Sequence, residues 1–181
     1  MTSTILKSPA RPAKKAAAIS ADAARMRELA AFTALTLDQS HPTPFGAVVV
    51  ETATGRLVTR QVNKVALHLD PTEHAEVHAV RKACKKLKSL SLRGHTLYTT
   101  CEPCPMCMAA CLWSGLDRVV FGATIADAAK VCSQIYVSAK TLARKSDLRC
   151  EVVGPVERKT CVGLFTHPKM AAIFKTWRHG K

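Results

Sequence analysis

Two short runs hold most of the reactive side chains: His74-Ala75-Glu76 and Cys101-Glu102-Pro103-Cys104-Pro105-Met106-Cys107. Imidazole nitrogen and thiolate sulfur are the donors that suit a zinc ion. If His74, Cys104 and Cys107 meet, they supply three protein ligands and leave the fourth tetrahedral position open, the arrangement of catalytic rather than structural zinc. Two thiolates balance the charge of the ion, so generating hydroxide and moving protons call for a further group. Glu76, two residues from His74, is the candidate general acid/base.

Elements must bring those residues to one point. Asp70-Pro71-Thr72-Glu73 offers a capping side chain, a Pro suited to the first helical position and a Glu at the third, which predicts a helix from there to about Leu90. His95 to Thr100 reads as a strand, followed by a helix from Cys104 to Ser114 closed by Gly115. Two strands of one polarity would deliver both helix starts to one sheet edge, where the positive dipole end favours thiolates. A first helix is expected from Ala21 to about Gln39, and a hairpin from Phe45 to Glu51 and Arg56 to Val62. Arg118 to Gly122 reads as a strand, Ala126 to about Arg144 as a helix and Arg149 to Val153 as a last strand. Pro168 splits Val156 to Phe165 from Lys169 to Trp177. The pattern predicts an α/β domain over residues 21–181, a mixed sheet with helices on both faces, behind a disordered basic tail at residues 1–20.

H-x-E followed by P-C-x-x-C is the signature of zinc nucleobase deaminases. With Pro44-Phe45-Gly46-Ala47, Asn63, Asp70 to Glu76 and Thr99 to Cys107, the chain resembles the cytidine/deoxycytidylate deaminase superfamily over roughly Ala21 to Val153. The branch it resembles holds guanine deaminases and tRNA adenosine deaminases. The resemblance implies a three-layer α/β/α cytidine-deaminase-like fold with a five-stranded mixed sheet, a homodimer or larger assembly, and one zinc (Zn2+) per chain. It makes His74, Cys104 and Cys107 the ligands and Glu76 the proton shuttle. It also has Asn63 and the backbone near Ala47 hold the base, with Phe45 and Trp113 walling the pocket.

The substrate is less sharply marked. Asp127-Ala128-Ala129 is similar to guanine deaminases, in which acidic residues shortly downstream contact the guanine, whereas Lys130 to Lys140 holds no carboxylate. Asn63-Lys64-Val65 lacks the Arg-Pro that usually follows this Asn in the tRNA enzymes. The expectation is a zinc-dependent hydrolytic deaminase that releases ammonia from a small aminated base or nucleoside, guanine-type first and tRNA adenosine second. Purine metabolism in the cytoplasm is its expected setting.

Composition bounds the alternatives. The 181 residues suffice for one domain with a real core, and 48% hydrophobic with 22% charged residues excludes global disorder, a collagen-like repeat and a coiled coil. The longest apolar run, Phe45 to Val50, is strand-sized, far from the roughly 18 residues that span a bilayer, so a soluble protein with no membrane partner is expected. Lys and Arg total 27 against 13 Asp and Glu, a net charge of +14 that draws the chain toward polyanions. Much of it sits in Lys7, Arg11, Lys14 and Lys15 and in Arg81, Lys82, Lys85, Lys86 and Lys88, without interleaved aromatics, so nucleic-acid contact should be nonspecific.

Four of the eight cysteines fall within eleven positions and the first thirty residues lack a signal-peptide apolar core, which fits a reduced metal-binding protein better than a disulfide scaffold. Cys101, Cys104, Cys107 and Cys111 also have iron–sulfur spacing, but that reading leaves His74-Ala75-Glu76 unexplained and puts Leu112 where Pro usually follows. Cys101 is then expected to end a strand, Cys111 to sit in a helix core and His78 to be a packing or surface residue. Cys84, Cys132, Cys150 and Cys161 are expected as buried thiols. A non-enzymatic zinc module bound to nucleic acid is the contrasting class, and the intact Glu76 speaks against it.

Overall fold

The computed structural model of the chain describes residues 11–176, with side chains from residue 20 to 175. Strands β1 (Gly46–Glu51), β2 (Leu57–Val62), β3 (His95–Cys101), β4 (Arg118–Ala123) and β5 (Glu151–Val153) form one sheet in the order β2-β1-β3-β4-β5. β1 is antiparallel to both β2 and β3, whereas β3, β4 and β5 run parallel, so β2 and β3 share a polarity. Helices α1 (Arg11–Ala34), α2 (Val65–His68), α3 (Ala75–Leu87), α4 (Pro105–Trp113), α5 (Ile125–Ala128), α6 (Ala139–Arg144), α7 (Arg158–Phe165) and α8 (Pro168–Thr176) complete the chain.

Strand periodicity builds two cores from one sheet. Successive side chains point to opposite faces, so Val48, Val50, Tyr98 and Val120 join Met26 and Leu29 of α1 and Leu164 and Phe165 of α7 on one side. Ala47, Val49, Leu97 and Val119 join Ala79 and Ala83 of α3 and Met108 and Leu112 of α4 on the other. Burial on both faces explains the unbroken apolar run of β1 and gives the expected α/β/α layering. Gly46 permits the closest approach, since a Cβ there would lie 1.9 Å from Thr33 Oγ1 in α1. A buried network fastens α1 to the sheet: the Asp22 carboxylate accepts from Tyr98 Oη (2.8 Å) and from both terminal nitrogens of Arg118 (2.7 Å each).

Three of the expected helices differ from expectation. The first helix begins at Arg11 rather than Ala21, because the Ala- and Lys-rich run behind Pro12 propagates a helix through what was expected as tail; residues 1–10 lie outside the described residues. It yields to a 3₁₀ turn at Leu35–Asp38 before Gln39. The helix expected from Asp70 begins instead at Ala75: Asp70 Oδ1 accepts from the amide and hydroxyl of Thr72 (2.7 Å each) and closes a local turn. The helix expected over Ala126 to Arg144 is two short ones, α5 capped by Thr124 and α6 capped by Ser138, with an irregular stretch between. Trp177, expected in the last helix, lies outside the described residues. Among the described residues no helix is long and apolar enough to cross a membrane.

Candidate active site

His74 and Cys104 occupy equivalent places, each the residue before a helix, α3 and α4 respectively, with extended backbone. Their carbonyls accept helical N–H bonds from His78 and Met108 (2.9 Å each), while neither side chain caps its own helix. Both side chains can therefore turn toward each other, and Cys107, three residues on, shares the face of Cys104. His74 Nδ1 lies 3.7 Å from Cys104 Sγ and 3.4 Å from Cys107 Sγ, and the two sulfurs are 3.6 Å apart. A tetrahedral ion with metal–sulfur bonds of about 2.3 Å and a metal–nitrogen bond of about 2.0 Å holds its donors about 3.5 to 3.8 Å apart. The donor set thus fits zinc, and it is the one such group among the described residues.

The three donor side chains share their protons. The Cys107 thiol, hydrogen-bonded to Cys104, and then His74 hold the Cys104 thiol down at about 4 against the effect of burial. Cys107 is pushed well up, first by its bond to Cys104 and then by burial. The bond with Cys104 raises His74. Glu76 lies in the first turn of α3, only 5% exposed, and burial raises its carboxyl pKa against the opposing pull of His74. Thr99 of β3 donates to Glu76 Oε1 (3.1 Å), and Glu76 Oε2 stands 3.6 Å from Cys107 Sγ. The carboxylate is therefore fixed beside the donor set without belonging to it.

A cavity of about 470 Å³ opens on this cluster, a volume suited to a small ligand. His74, Glu76 and Cys104 line it together with Phe45 and Asn63. Thr100 positions the Phe45 turn, accepting from Gly46 N (3.0 Å) and donating to Pro44 O (2.8 Å). Asn63 Oδ1 accepts the Val65 amide (3.1 Å), leaving its Nδ2 hydrogens for another acceptor.

One expected pocket wall stands elsewhere: Trp113, at the end of α4, is 81% exposed and outside the cavity lining. Ala47 is buried within β1, two residues from the cavity-lining Phe45 and paired across to Gln61 and Thr99. Asp127 is spent on structure, capping α5 through Thr124 and pairing with Arg158 at 2.8 and 2.6 Å. Cys101 packs on the α1 side of the sheet and Cys111 on the α4 side, so the four clustered cysteines do not converge. His78 is a buried α3 residue, its Nδ1 3.7 Å from Glu73 Oε2. Cys132 and Cys161 are buried, whereas Cys84 and Cys150 are only half-buried.

The cavity has walls that sequence reasoning missed. Val65, Ala66 and Leu69 come from α2 and the turn after it, and Cys132, Ser133 and Gln134 from the stretch between α5 and α6. Glu102 also lines it, with both oxygens bonded to backbone amides, of Ile125 (3.2 Å) and Ala139 (3.1 Å). The only sequence signals for these were the Thr124-x-x-Asp127 box and Ser138, which mark two helix starts where one helix was expected.

Comparison with known proteins agrees with this geometry. The cytidine and deoxycytidylate deaminase zinc-binding region matches residues 20–123. A guanine deaminase from Bacillus subtilis is 47% identical over 87 residues, which span 48% of this chain and only 54% of that relative. A tRNA-specific adenosine deaminase from the same species is 35% identical over 138 residues, 76% of this chain and 80% of the relative. In fold, the chain is similar to a guanine deaminase from Nitrosomonas europaea, with a TM-score of 0.73 at 24% identity over 81% of this chain and 83% of that one. The family match covers more than half of the sequence and includes all three zinc-type donors and Glu76: this chain belongs to the cytidine and deoxycytidylate deaminase family.

Proposed function

We propose that the chain is a zinc-dependent hydrolytic deaminase that releases ammonia from a guanine-type base. The observation that carries this reading is Glu76, a buried carboxylate held by Thr99 beside a His/Cys/Cys donor set at the floor of a small-molecule cavity. His74, Cys104 and Cys107 would hold the ion, which when bound supplies a Lewis acid that makes water a nucleophile near neutral pH.

The remaining work falls to the chain's own residues. Glu76 takes one proton from the attacking water and gives it to the ring nitrogen, then takes the second proton of that oxygen and gives it to the departing amine, for which a raised pKa suits it. Thr99 keeps one carboxylate oxygen engaged, so the other faces the reacting atoms. The Asn63 Nδ2 hydrogens donate to a ring acceptor, and the Phe45 ring lies along the base. The cavity volume favours a base or nucleoside over a larger ligand.

A second reading, deamination of adenosine in tRNA, has the support of the longer relative match and of the net charge of +14. An ammonia-release screen over guanine, adenine, cytosine, their nucleosides and tRNA tests both. Turnover of guanine should barely respond to salt between about 50 and 200 mM, whereas a tRNA reaction should fall steeply through loss of phosphate contacts. Ammonia from tRNA alone, collapsing over that range, would replace the first reading by the second. We also propose a homodimer, supported by exposed Trp113, Ile135 and Tyr136, and a place in purine metabolism in the cytoplasm, whose reducing conditions suit eight free thiols.

A further inference from the structure

We propose that Glu102 is a positioning residue that registers the Cys132–Gln134 wall of the cavity on the metal-ligand turn. Glu102 sits between the end of β3 and Cys104, inside the turn that presents the two cysteine donors. One of its carboxylate oxygens accepts the Ile125 amide and the other the Ala139 amide. These are the first residues of α5 and α6, where a helix has no partner of its own for the N–H and where negative charge is favoured. One side chain thus gathers two helix starts that lie fourteen residues apart in sequence.

The chain between those starts makes only local hydrogen bonds of its own. Hydrogen bonds given or accepted by residues 129–138 reach no further than four positions along the sequence, as with Cys132 N to Ala128 O and Gln134 Nε2 to Cys132 Sγ. Val131 and Cys132 add apolar packing; besides the Cys101 thiol on Thr124 O (4.0 Å) and the Glu102 amide on Ala123 O (2.7 Å), the tie of both helix starts to the metal-ligand turn is the Glu102 carboxylate. Ser133 and Gln134 face the cavity from this stretch, so a loosened tie would move the groups that meet the far edge of a substrate while leaving the donors and Glu76 in place. In substrate terms this role rests on the deaminase reading; the mechanical claim does not.

Two variants test it from opposite ends. Glu102→Gln keeps one acceptor oxygen but turns an NH₂ group toward the second amide. Ala139→Pro removes one donor at a position where proline suits a helix start, behind Ser138 whose ψ of 148° is what a residue before proline adopts. Both should accelerate amide hydrogen exchange across residues 129–138 about tenfold, the loss of roughly one charged hydrogen bond, with α3, α4 and zinc content unchanged. KM for guanine should rise about tenfold while kcat changes less than about threefold. Unchanged exchange over 129–138, acceleration spread evenly over the protein, or loss of zinc in Glu102→Gln would each overturn the proposal. If wild type released no ammonia from guanine while both variants still freed 129–138, the guanine reading would fail and the positioning role would stand.

Discussion

Replacing Glu76 by Gln keeps the size of the side chain and an oxygen for the Thr99 hydroxyl, but removes the group that takes and returns a proton. Turnover should fall about 10²- to 10⁴-fold. Zinc content should not change, because Glu76 lies outside the donor set. Stability should move in the opposite direction from activity. Burial raises the Glu76 pKa above the ordinary value of 4.5, so the native state holds this proton more tightly than the unfolded chain does. That contribution to stability is complete below about pH 4.5 and is lost as pH rises through the folded-state pKa. In zinc-stripped protein the variant should therefore match wild type near pH 4. At pH 7 it should be more stable by about 1–3 kcal/mol, the scale of relieving an incompletely compensated buried charge. Urea unfolding at the two pH values, with ammonia and zinc assays on the loaded protein, reads all three quantities. A variant that kept more than a tenth of the turnover, or was less stable than wild type at pH 7, would refute the role given to this carboxylate.

Cys104→Ala should lose zinc and activity together, since two remaining protein donors hold the ion poorly; metal analysis after gel filtration checks it. Asn63→Ala should raise KM for guanine about tenfold through loss of one donor to the ring, with a smaller effect on kcat, as steady-state kinetics would show. Asp22→Ala leaves a largely buried Arg118 guanidinium and the Tyr98 hydroxyl without their shared acceptor and should cost about 3 kcal/mol in urea unfolding, with kcat of the folded fraction retained.

The chemistry was more legible in the sequence than the walls around it. His74, Glu76, Cys104 and Cys107 are reactive types at spacings that a helix start converts into one cluster, and a hairpin followed by alternating strands and helices announced a mixed sheet covered on both faces. The start of α3 was misplaced because Asp70 and Glu73 satisfy a capping pattern whose oxygens are used locally, by Thr72 and by Arg81. The start of α6 beyond the break is met by Glu102, which precedes Ala139 by 37 positions, and no local pattern encodes such a contact. Trp113 fits a pocket wall or an exposed face equally by its type; only packing places it on the outside.

The central claim is that deamination runs through an ion held by His74, Cys104 and Cys107 with Glu76 moving the protons. Its most direct test is ammonia release from guanine as zinc is added back to chelator-stripped protein. Activity should be absent at the start, rise linearly and level off at about one zinc per chain, the stoichiometry of a single three-donor site. Full ammonia release from the stripped protein, or none from guanine or tRNA after one equivalent of zinc is bound, would contradict it.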